Sequence, residues 1–334
     1  MKRSILAAWV LIAAVFGLGL LGLAGRNGMP VEREKIEVPA PGVADSAVTI
    51  RAKIDGTVQE MDLDTYLQGV LRAEMPASFA LEALKAQAVA ARTETLYKVE
   101  NGPVANHPDA DICSDIHCCQ AFKTEEAARE AWGADASYYS DKIAAAVRGT
   151  DGMTILYENK PILAAFFSSA SGQTNPSGDV WVNDLPYLQS VKSPEGEGEV
   201  PNYYSVASFS QEEFRQRFLE KHPEARLEGA AEQWFGAVQR SDSDMVLSMV
   251  IGGVEVKGTE VRSLFSLRSA AFTVAVEDGN IVFHVTGYGH GVGMSQYGAN
   301  VMAAEGKDYL EILHWYYTDV TIGPYTPKTL ATGQ

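Results

Sequence analysis

The N-terminal segment limits what this chain can be more than any other feature of its sequence. Lys2 and Arg3 precede an uncharged stretch, residues 4–25, that is rich in Leu, Ala and Val. As a helix, a stretch of this length spans the hydrocarbon core of a bilayer, which is ~30 Å thick. A cleaved signal peptide is the alternative. However, the apolar run exceeds the usual ~7–15 residues, and no clear A-x-A cleavage site precedes the polar chain. The segment therefore predicts a single membrane anchor in residues 1–25.

The predicted anchor is followed by a linker and determines on which side of the membrane the rest of the chain lies. Residues 26–46 contain three prolines, several charges and no apolar periodicity, which is typical of an extended linker. The short basic tail resembles the start of a signal-anchor. This places residues 26–334 outside the cytoplasm, with the folded domain in residues 47–334, and makes the chain a single-pass protein of the cell membrane. The net charge of −16 opposes a phosphate backbone, so a nucleic-acid partner is not expected.

With 46% hydrophobic and 21% charged residues, the chain has the composition of a globular protein. Apolar periodicity predicts helices over residues 64–74, 79–97 and 125–132, the first of them capped by an aspartate, Asp64. Runs of β-branched and aromatic residues predict strands over 153–157 and 162–167.

Turn and cap residues complete this prediction. Gly252-Gly253 and Asp278-Gly279 each separate two apolar runs, which predicts two antiparallel hairpins. Ser295 is expected to cap a helix that ends at Gly306, and Asp308 with Glu311 forms a capping box for the last helix. The fold class expected is α+β, with mixed helices and antiparallel hairpins behind the N-terminal anchor.

Glu74 is the first candidate for chemistry. It follows Val70 and Leu71 by one helical turn, so it continues an apolar stripe at the end of the predicted helix. Partial desolvation and the negative end of the helix both favour the protonated form and raise the pKa of the carboxyl group. Such a carboxyl group can act as a general acid. A surface glutamate at a helix end is the alternative.

A cysteine cluster is the second candidate site. Cys113, Cys118 and Cys119 lie within seven residues, with His107 and His117 beside them. An odd cysteine count outside the cytoplasm suggests one disulfide, between Cys113 and one of the others, and a free thiol. Three thiolates and a histidine can instead form a tetrahedral zinc site, which is structural when all four ligands come from the protein. The spacing leaves both alternatives open.

A glycine-rich segment is the third candidate. Residues 287–298 contain five glycines in twelve positions, which permits positive φ angles and close approach of a ligand. The segment matches neither phosphate-binding glycine motif. Its His290 could be a general base, a metal ligand or a structural residue of the turn. Ser171 and Gln173 follow a predicted strand and could line a cleft, and the chain has no G-x-S-x-G elbow.

Together these segments resemble the family of stage II sporulation protein D. The motifs are E-M-P-A-S-F at 74–79, E-A-L-K-A-Q-A-V-A-A-R-T at 82–93, S-G-Q-T at 171–174 and G-H-G-V-G-M-S-Q-Y-G-A at 289–299. Tyr187-Leu188 and residues 258–268 fit the same pattern. The resemblance covers nearly the whole chain and extends to the related amidase-enhancer proteins of the cell wall. The cysteine cluster and the anchor fit the sporulation branch better.

The resemblance implies a lytic transglycosylase. Such an enzyme cleaves MurNAc–GlcNAc bonds of peptidoglycan strands already stripped of stem peptides, and leaves 1,6-anhydroMurNAc ends during sporulation engulfment. It implies a cell-wall amidase and a membrane protein of the engulfment machinery as partners. Glu74 matches the catalytic glutamate, and the residues expected to bind sugars are Arg92, Ser171, Gln173, His290, Ser295, Gln296 and Tyr297. The alternative function is a non-catalytic, glycan-binding enhancer of a partner amidase.

The arrangement of cysteines and histidines in this chain differs slightly from the one usual in that family. Its members usually show a His-Cys pair followed by Gln, with a Cys and a His upstream. Here Cys118-Cys119 precede Gln120, which leaves open whether His117 or Cys118 is the ligand. The ligands expected are His107, Cys113, Cys118 and Cys119, holding a structural zinc ion.

Overall fold

The computed structural model describes residues 35–102 and 107–327. The anchor expected in residues 1–25, and the linker up to residue 34, lie outside the described residues. Within the described ranges, no helix is both long enough and apolar enough to cross a bilayer.

Helices occur in both halves of the described chain. In chain order the α-helices are α1 (Val43–Ser46), α2 (Leu63–Glu74), α3 (Leu81–Asn101), α4 (Glu125–Trp132), α5 (Ala136–Arg148), α6 (Ser177–Val180), α7 (Gln211–Lys221), α8 (Gly258–Leu264), α9 (Gln296–Ala304) and α10 (Tyr309–Tyr316). Short 3₁₀ turns lie at Gly133–Asp135 and Ala231–Gln233.

The strands are short and form small sheets. In chain order they are β1 (Thr49–Ile54), β2 (Thr57–Asp62), β3 (Ile112–Cys113), β4 (Met153–Tyr157), β5 (Lys160–Pro161), β6 (Phe166–Phe167), β7 (Tyr204–Ser210), β8 (Phe235–Arg240), β9 (Val246–Ile251), β10 (Val254–Lys257), β11 (Phe272–Glu277), β12 (Asn280–Thr286), β13 (Met294–Ser295) and β14 (Thr321–Pro324). The sheets have the orders β2-β1-β3, β14-β4-β5, β10-β9-β8, β11-β12-β7 and β13-β6.

The α+β class is confirmed, and both predicted hairpins are present. Strands β9 and β10 pair antiparallel across Gly252-Gly253, and β11 and β12 pair antiparallel across Asp278-Gly279. The capping box of α10 is formed as expected: Asp308 accepts from the Glu311 N–H at 2.8 Å. These features depend on neighbours within a few residues, which sequence patterns capture.

The prediction that Asp64 caps the first helix is wrong by two residues. Asp62 is the N-cap of α2, because its Oδ1 accepts from the Thr65 N–H at 2.8 Å. Asp64 is buried in the first turn and pairs with Arg148 at 3.5 Å. The helix ends at Glu74, since Met75 is extended before Pro76.

The predicted strand over 162–167 is also wrong in part. Residues 160–161 pair with β4, but the chain then leaves that sheet. Phe166 and Phe167 form β6, which runs parallel to β13. This second pairing brings the segment after β6 to the glycine-rich segment, a contact between residues more than 120 positions apart.

The first hydrophobic core surrounds α3. This helix packs against α2, α5, α9, α10 and β4, and its alanines are buried, so its neighbours approach closely. Because α3 is covered on several sides, it has buried residues around much of its circumference rather than along one stripe.

A second core lies within residues 207–285 and includes the rings of Phe214, Phe265 and Phe283. The rings of Phe214 and Phe265 stack with their centroids 4.6 Å apart. Two bridges, Ser169 with Tyr288 and Asn175 with Val292, join the chain that enters this core to the chain that leaves it.

The described end of the predicted linker belongs to the fold. Within residues 26–46, the segment Val43–Ser46 forms α1, and Asp45 is only 2% exposed. Asp45 makes an ion pair with Arg92 of α3 at 2.6 Å. Composition identified this stretch as a linker because its contacts are made with distant residues, Arg92 at 47 positions and Asp151 at 106 positions from Asp45.

Candidate active site and metal centre

Glu74 lies where three segments of the chain meet. It is the last residue of α2, and its side chain is largely buried. Its Oε1 accepts from the backbone N–H of Ala121 at 2.7 Å. Its Oε2 accepts from the side-chain amide of Gln296 at 3.5 Å. The end of α2, the segment after the cysteines and the start of α9 therefore converge on one carboxyl group.

The surroundings of Glu74 raise the pKa of its carboxyl group. Burial is the largest cause, and the hydrogen bonds from Ala121 and Gln296 offset only part of it. The direction is the one predicted from the apolar stripe. A carboxyl group whose protonated form is favoured can donate a proton to a leaving oxygen.

The first turn of α9 forms one wall of this site. The ring of Tyr297 packs edge-on against Phe79, with centroids 4.9 Å apart. The Tyr297 N–H donates to the Ser168 carbonyl at 3.0 Å. Burial raises the pKa of the Tyr297 hydroxyl, so the group remains a hydrogen-bond donor at neutral pH. Gln296 and Tyr297, both predicted sugar-binding residues, thus lie on the turn that contacts Glu74.

Ser295, predicted to bind sugar, has a different role. Its side chain is fully buried, and its hydroxyl caps α9 by accepting from the Gly298 N–H at 3.2 Å. The same hydroxyl donates to the carboxylate of Glu195. The prediction that Ser295 caps a helix is confirmed, and its side chain has no exposed surface in this structure, so its contact with sugar stays a prediction.

Glu195 was missed by sequence reasoning. It is 3% exposed and accepts hydrogen bonds from the Ala170 N–H at 2.7 Å and the Ser193 hydroxyl at 2.6 Å, besides that of Ser295. It therefore ties the segment after β6 to the start of α9. In the sequence it stands in E-G-E-G-E at 195–199, where nothing distinguishes it from its exposed neighbours Glu197 and Glu199.

His290 is the structural residue of the glycine-rich turn, which was one of the three alternatives. Its Nε2–H donates to the Phe166 carbonyl at 3.0 Å, and its Nδ1 accepts from the Val292 N–H at 3.1 Å. Burial lowers the pKa of the imidazole to about 4, so the ring is neutral at physiological pH. Because both nitrogens are engaged by the backbone, the His290 ring holds the turn in this structure, and its contact with sugar stays a prediction.

The glycine-rich segment needs its glycines for close backbone approach. Gly293 has a φ of +77°, and a Cβ there would lie 2.1 Å from the Ala165 carbonyl oxygen. A side chain at this position would separate β13 from the segment that leads to β6. The glycines therefore bring two strands together.

Ser171 and Gln173 line a cavity of about 20 Å³ together with His290, away from the lining of the Glu74 site. The Ser171 hydroxyl donates to the Ser243 carbonyl at 2.8 Å. A cavity of this size holds a water molecule and not a sugar. The role of these two residues in binding glycan stays a prediction.

Arg92, the remaining predicted sugar-binding residue, is fully buried. Its guanidinium donates to both carboxylate oxygens of Asp45, from Nε at 2.8 Å and from Nη2 at 2.6 Å. It also donates to the carbonyls of Val147 at 3.2 Å and Met153 at 3.1 Å. Its donors hold α1, α3, the end of α5 and the start of β4 together, and its predicted contact with sugar stays a prediction.

The four predicted metal ligands come together. The ligand atoms of His107, Cys113, Cys118 and Cys119 all lie within 4.8 Å of one another. The Cys113 and Cys118 sulfurs are 3.0 Å apart, and His107 Nε2 is 3.2 Å from the Cys118 sulfur. The three cysteines are free thiols. Tetrahedral coordination at Zn–S ~2.3 Å and Zn–N ~2.0–2.1 Å requires a cluster of about this size.

His117 lies outside this cluster. Its side chain is exposed, and its backbone N–H donates to the Asp115 carboxylate at 2.9 Å. Cys118, and not His117, therefore occupies the fourth position of the cluster. The short turn at residues 115–118, in which the Cys118 N–H donates to the Asp115 carbonyl at 3.1 Å, brings Cys118 into this cluster.

The cysteine cluster is linked to Glu74 through the chain that follows it. Gln120 is buried and donates to the Thr95 hydroxyl of α3 at 3.1 Å. The next residue, Ala121, donates its N–H to Glu74. Phe122 packs over Gly69 of α2, where a Cβ would lie 2.1 Å from the ring. Anything that holds the cysteines in place therefore also holds the Ala121 N–H, which donates to the Glu74 carboxyl group.

Comparison with known proteins identifies relatives over most of this chain. A family model described as "Stage II sporulation protein" matches residues 53–157. Stage II sporulation protein D of Bacillus amyloliquefaciens is 38% identical over 267 residues, which cover 80% of this chain and 75% of the relative. Stage II sporulation protein D of Bacillus subtilis (strain 168) is 34% identical over 305 residues, which cover 88% of this chain and 87% of the relative.

A more distant relative carries a different name. A protein named amidase enhancer, from Bacillus subtilis (strain 168), is 26% identical over 311 residues, which cover 78% of this chain and 40% of that protein.

Proposed function

This chain belongs to the family of stage II sporulation protein D, and from that premise we propose that it is a lytic transglycosylase of peptidoglycan. Its substrate is the MurNAc–GlcNAc bond of glycan strands stripped of stem peptides, cleaved during engulfment in sporulation. The observation that carries the proposal is the partly buried Glu74 carboxyl group, whose pKa is raised where three segments of the chain meet, two of them family motifs.

One carboxyl group suffices for this reaction. Glu74 donates its proton to the glycosidic oxygen as the bond from C1 of MurNAc to that oxygen breaks, and GlcNAc leaves with a hydroxyl group. The Glu74 carboxylate then accepts the proton of the C6 hydroxyl as O6 of the same MurNAc bonds to C1. The carboxyl group is thereby restored, and the product end is 1,6-anhydroMurNAc.

The neighbours of Glu74 favour this route over hydrolysis. Within the described part of the chain, the hydrogen-bond partners of the Glu74 carboxyl group are the Ala121 N–H and the Gln296 amide, and neither is a carboxylate. A retaining hydrolase needs a carboxylate nucleophile at ~5–5.5 Å, and an inverting one needs a base at ~6.5–9.5 Å. Internal attack needs neither, because the nucleophile and the reacting carbon belong to one sugar ring.

The products of the purified protein test this proposal. We expect purified glycan strands without stem peptides to be cut into fragments with anhydro ends, which are lighter than reducing ends by one water, ~18 Da. Mass spectrometry of the digest distinguishes the two. Mainly reducing MurNAc ends would identify a hydrolase instead. The same digest of intact peptidoglycan tests the requirement for stripped strands, because we expect little cutting there.

A second candidate function is supported by the relative named amidase enhancer. In that case the chain would bind glycan without cutting it and would stimulate a partner amidase. The purified chain would then release no fragments by itself, yet would increase peptide release by the amidase. Under either function, a cell-wall amidase is the proposed partner, and residues 1–25 are proposed to anchor the chain in the cell membrane with the rest outside.

We also propose that His107, Cys113, Cys118 and Cys119 hold a structural zinc ion. All four ligands come from the protein, so the ion would have no open position for substrate. Bound there, it supplies a rigid cross-link of the segment 107–119. The chain itself then presents the Ala121 N–H to Glu74 from the end of this segment.

Replacing Cys113 by Ser is expected to remove the metal and lower the melting temperature, because the free energy of metal binding contributes to folding. Elemental analysis should find about one zinc per wild-type chain and little in the variant. The matched control is His117→Ala, in the same loop but outside the cluster, which should keep both metal and stability. A wild-type chain without metal, with a disulfide between two of the cysteines by mass spectrometry, would contradict the proposal.

A further inference from the structure

Two arginines lie beside the glycine-rich segment without acidic partners. The guanidinium carbon of Arg268 is 4.0 Å from the centre of the Tyr288 ring. Its Nε is buried and has no hydrogen-bond partner. Burial lowers the pKa of the Arg262 guanidinium, the nearby Tyr288 hydroxyl opposes this shift, and the Arg262 Nε–H donates to the Leu267 carbonyl at 3.4 Å.

Their lack of a counter-ion is unexpected in a chain of net charge −16. Within residues 35–102 and 107–327, neither arginine has a carboxylate oxygen within 4.0 Å. Six other arginines of the described residues do have such partners, namely Arg51, Arg72, Arg92, Arg129, Arg148 and Arg217, whereas Arg215, Arg226 and Arg240 also have none. Partly burying an arginine without an acidic partner costs stability, so a ligand that supplies the negative charge would be favoured.

Arg268 is held next to the active site. Its carbonyl accepts from the Gly289 N–H at 2.9 Å, which attaches it to the glycine-rich segment. Its charge acts on the hydroxyl of Tyr297, the residue after Gln296, whose amide contacts Glu74. Neither arginine forms an ion pair with Glu74 within the described residues, so an anion bound there would leave the acid free. Tyr288 is 44% exposed, so this place is open to solvent.

The proposed substrate carries an anion that fits this place. When an amidase hydrolyses the bond between the lactyl group of MurNAc and the stem peptide, water adds across an amide. The peptide leaves as an amine, and a lactyl carboxylate remains on the sugar. An intact strand has an uncharged amide at that position. The planar guanidinium of arginine binds a carboxylate through two parallel hydrogen bonds, and an aromatic ring beneath it fixes its plane.

We propose that Arg268, supported by Arg262 and stacked on Tyr288, binds the free lactyl carboxylate of MurNAc and so selects strands from which the peptide has been removed. This inference rests on the proposed function. Stripped strands are then selected by electrostatic attraction, because only they carry the carboxylate that Arg268 binds. This attraction acts in addition to any steric exclusion of the bulky peptide.

The test compares two substrates that differ in this charge alone. Stripped strands are used as they are, or after their lactyl carboxylates have been converted to methylamides. For the full-length wild-type protein we expect kcat/KM to be ~10- to 100-fold higher on the free carboxylate, the range of a charge-assisted hydrogen bond. Arg268→Gln should lose this difference by losing activity on the carboxylate form, mostly through KM, with little change on the methylamide. Arg217→Gln, on the surface of α7, is the matched control and should behave as wild type.

The outcomes separate the inference from the proposed function. If wild type cuts neither substrate, the proposed function fails. If wild type cuts both equally, the function stands and the inference fails. If Arg268→Gln lowers the cutting of both substrates by one factor, the arginine is structural and the inference fails. Phosphate esters on wall strands offer similar chemistry, so the comparison is repeated on strands freed of phosphate. Loss of the preference there would assign the site to phosphate and overturn the proposal.

Discussion

Replacing Glu74 by Gln is expected to lower the rate of glycan cleavage by ~10²–10⁴-fold, the contribution of general acid–base catalysis. Gln has the shape of Glu and can still accept from the Ala121 N–H, which contacts one side-chain oxygen at 2.7 Å. It has no proton to give to the glycosidic oxygen. Glycan binding should therefore persist while cutting stops, as measured by fragment release and by co-sedimentation with stripped strands.

The stability of this variant distinguishes catalysis from folding. The pKa of Glu74 is raised in the folded state by burial, so folding favours the protonated form. The stability associated with that form is present below the unfolded pKa and is lost as pH rises through the folded pKa. Gln does not ionise, so the Glu74→Gln variant does not lose stability in this way as the pH rises. The variant should unfold at neutral pH at a urea concentration no lower than wild type requires, and the difference should shrink toward acid pH.

Glu213→Gln is the matched control for this experiment. Glu213 lies on α7, is largely exposed and pairs with Arg217 at 2.7 Å. This variant removes one carboxylate from the surface and should keep full activity. A Glu74→Gln protein that retained most of its activity would show that another group donates the proton.

Part of the fold could be predicted because its causes are local. The hairpin at Asp278-Gly279 and the capping box at Asp308 each depend on residues a few positions apart. The raised pKa of Glu74 followed from its place on an apolar stripe. The cysteine cluster also has its members close together in sequence, so its spacing indicated that a metal site could form there, although it left open whether His117 or Cys118 belonged to it.

The roles of other residues depend on partners that sequence reasoning did not pair. Ser295 and His290 lie in the most specific motif of the chain, but the Ser295 hydroxyl meets Glu195, 100 positions away, and the His290 ring meets the Phe166 carbonyl, 124 positions away. A motif indicates that its residues matter for the site. It does not distinguish a residue that contacts the substrate from one that holds the backbone of those that do.

Arg92 is the clearest example of a motif residue whose contacts in the structure are with the fold, and its ion pair with Asp45 leads to the second prediction. Asp45→Asn is expected to lower the free energy of unfolding by about 3–5 kcal/mol, because it leaves a fully buried guanidinium without its counter-ion. The pair is bidentate and neither side chain is more than 3% exposed. Urea unfolding at neutral pH measures the change. The surface pair of Arg217 and Glu213 is the comparison, and Glu213→Gln should cost less than about 1 kcal/mol.

A double variant shows whether the loss comes from the unpaired charge. Arg92→Met with Asp45→Asn removes both charges and should recover part of the stability that Asp45→Asn loses, since an apolar side chain can fill a buried ion-pair site at little cost. Under conditions where the variants remain folded, KM for stripped strands should be unchanged, because Arg92 does not reach the surface. If Asp45→Asn instead left stability intact and raised KM, Arg92 would have to contact substrate, and α1 would not be part of the fold. Equal losses in the single and double variants would show that the shape of the site, and not its charge balance, holds α1 against α3.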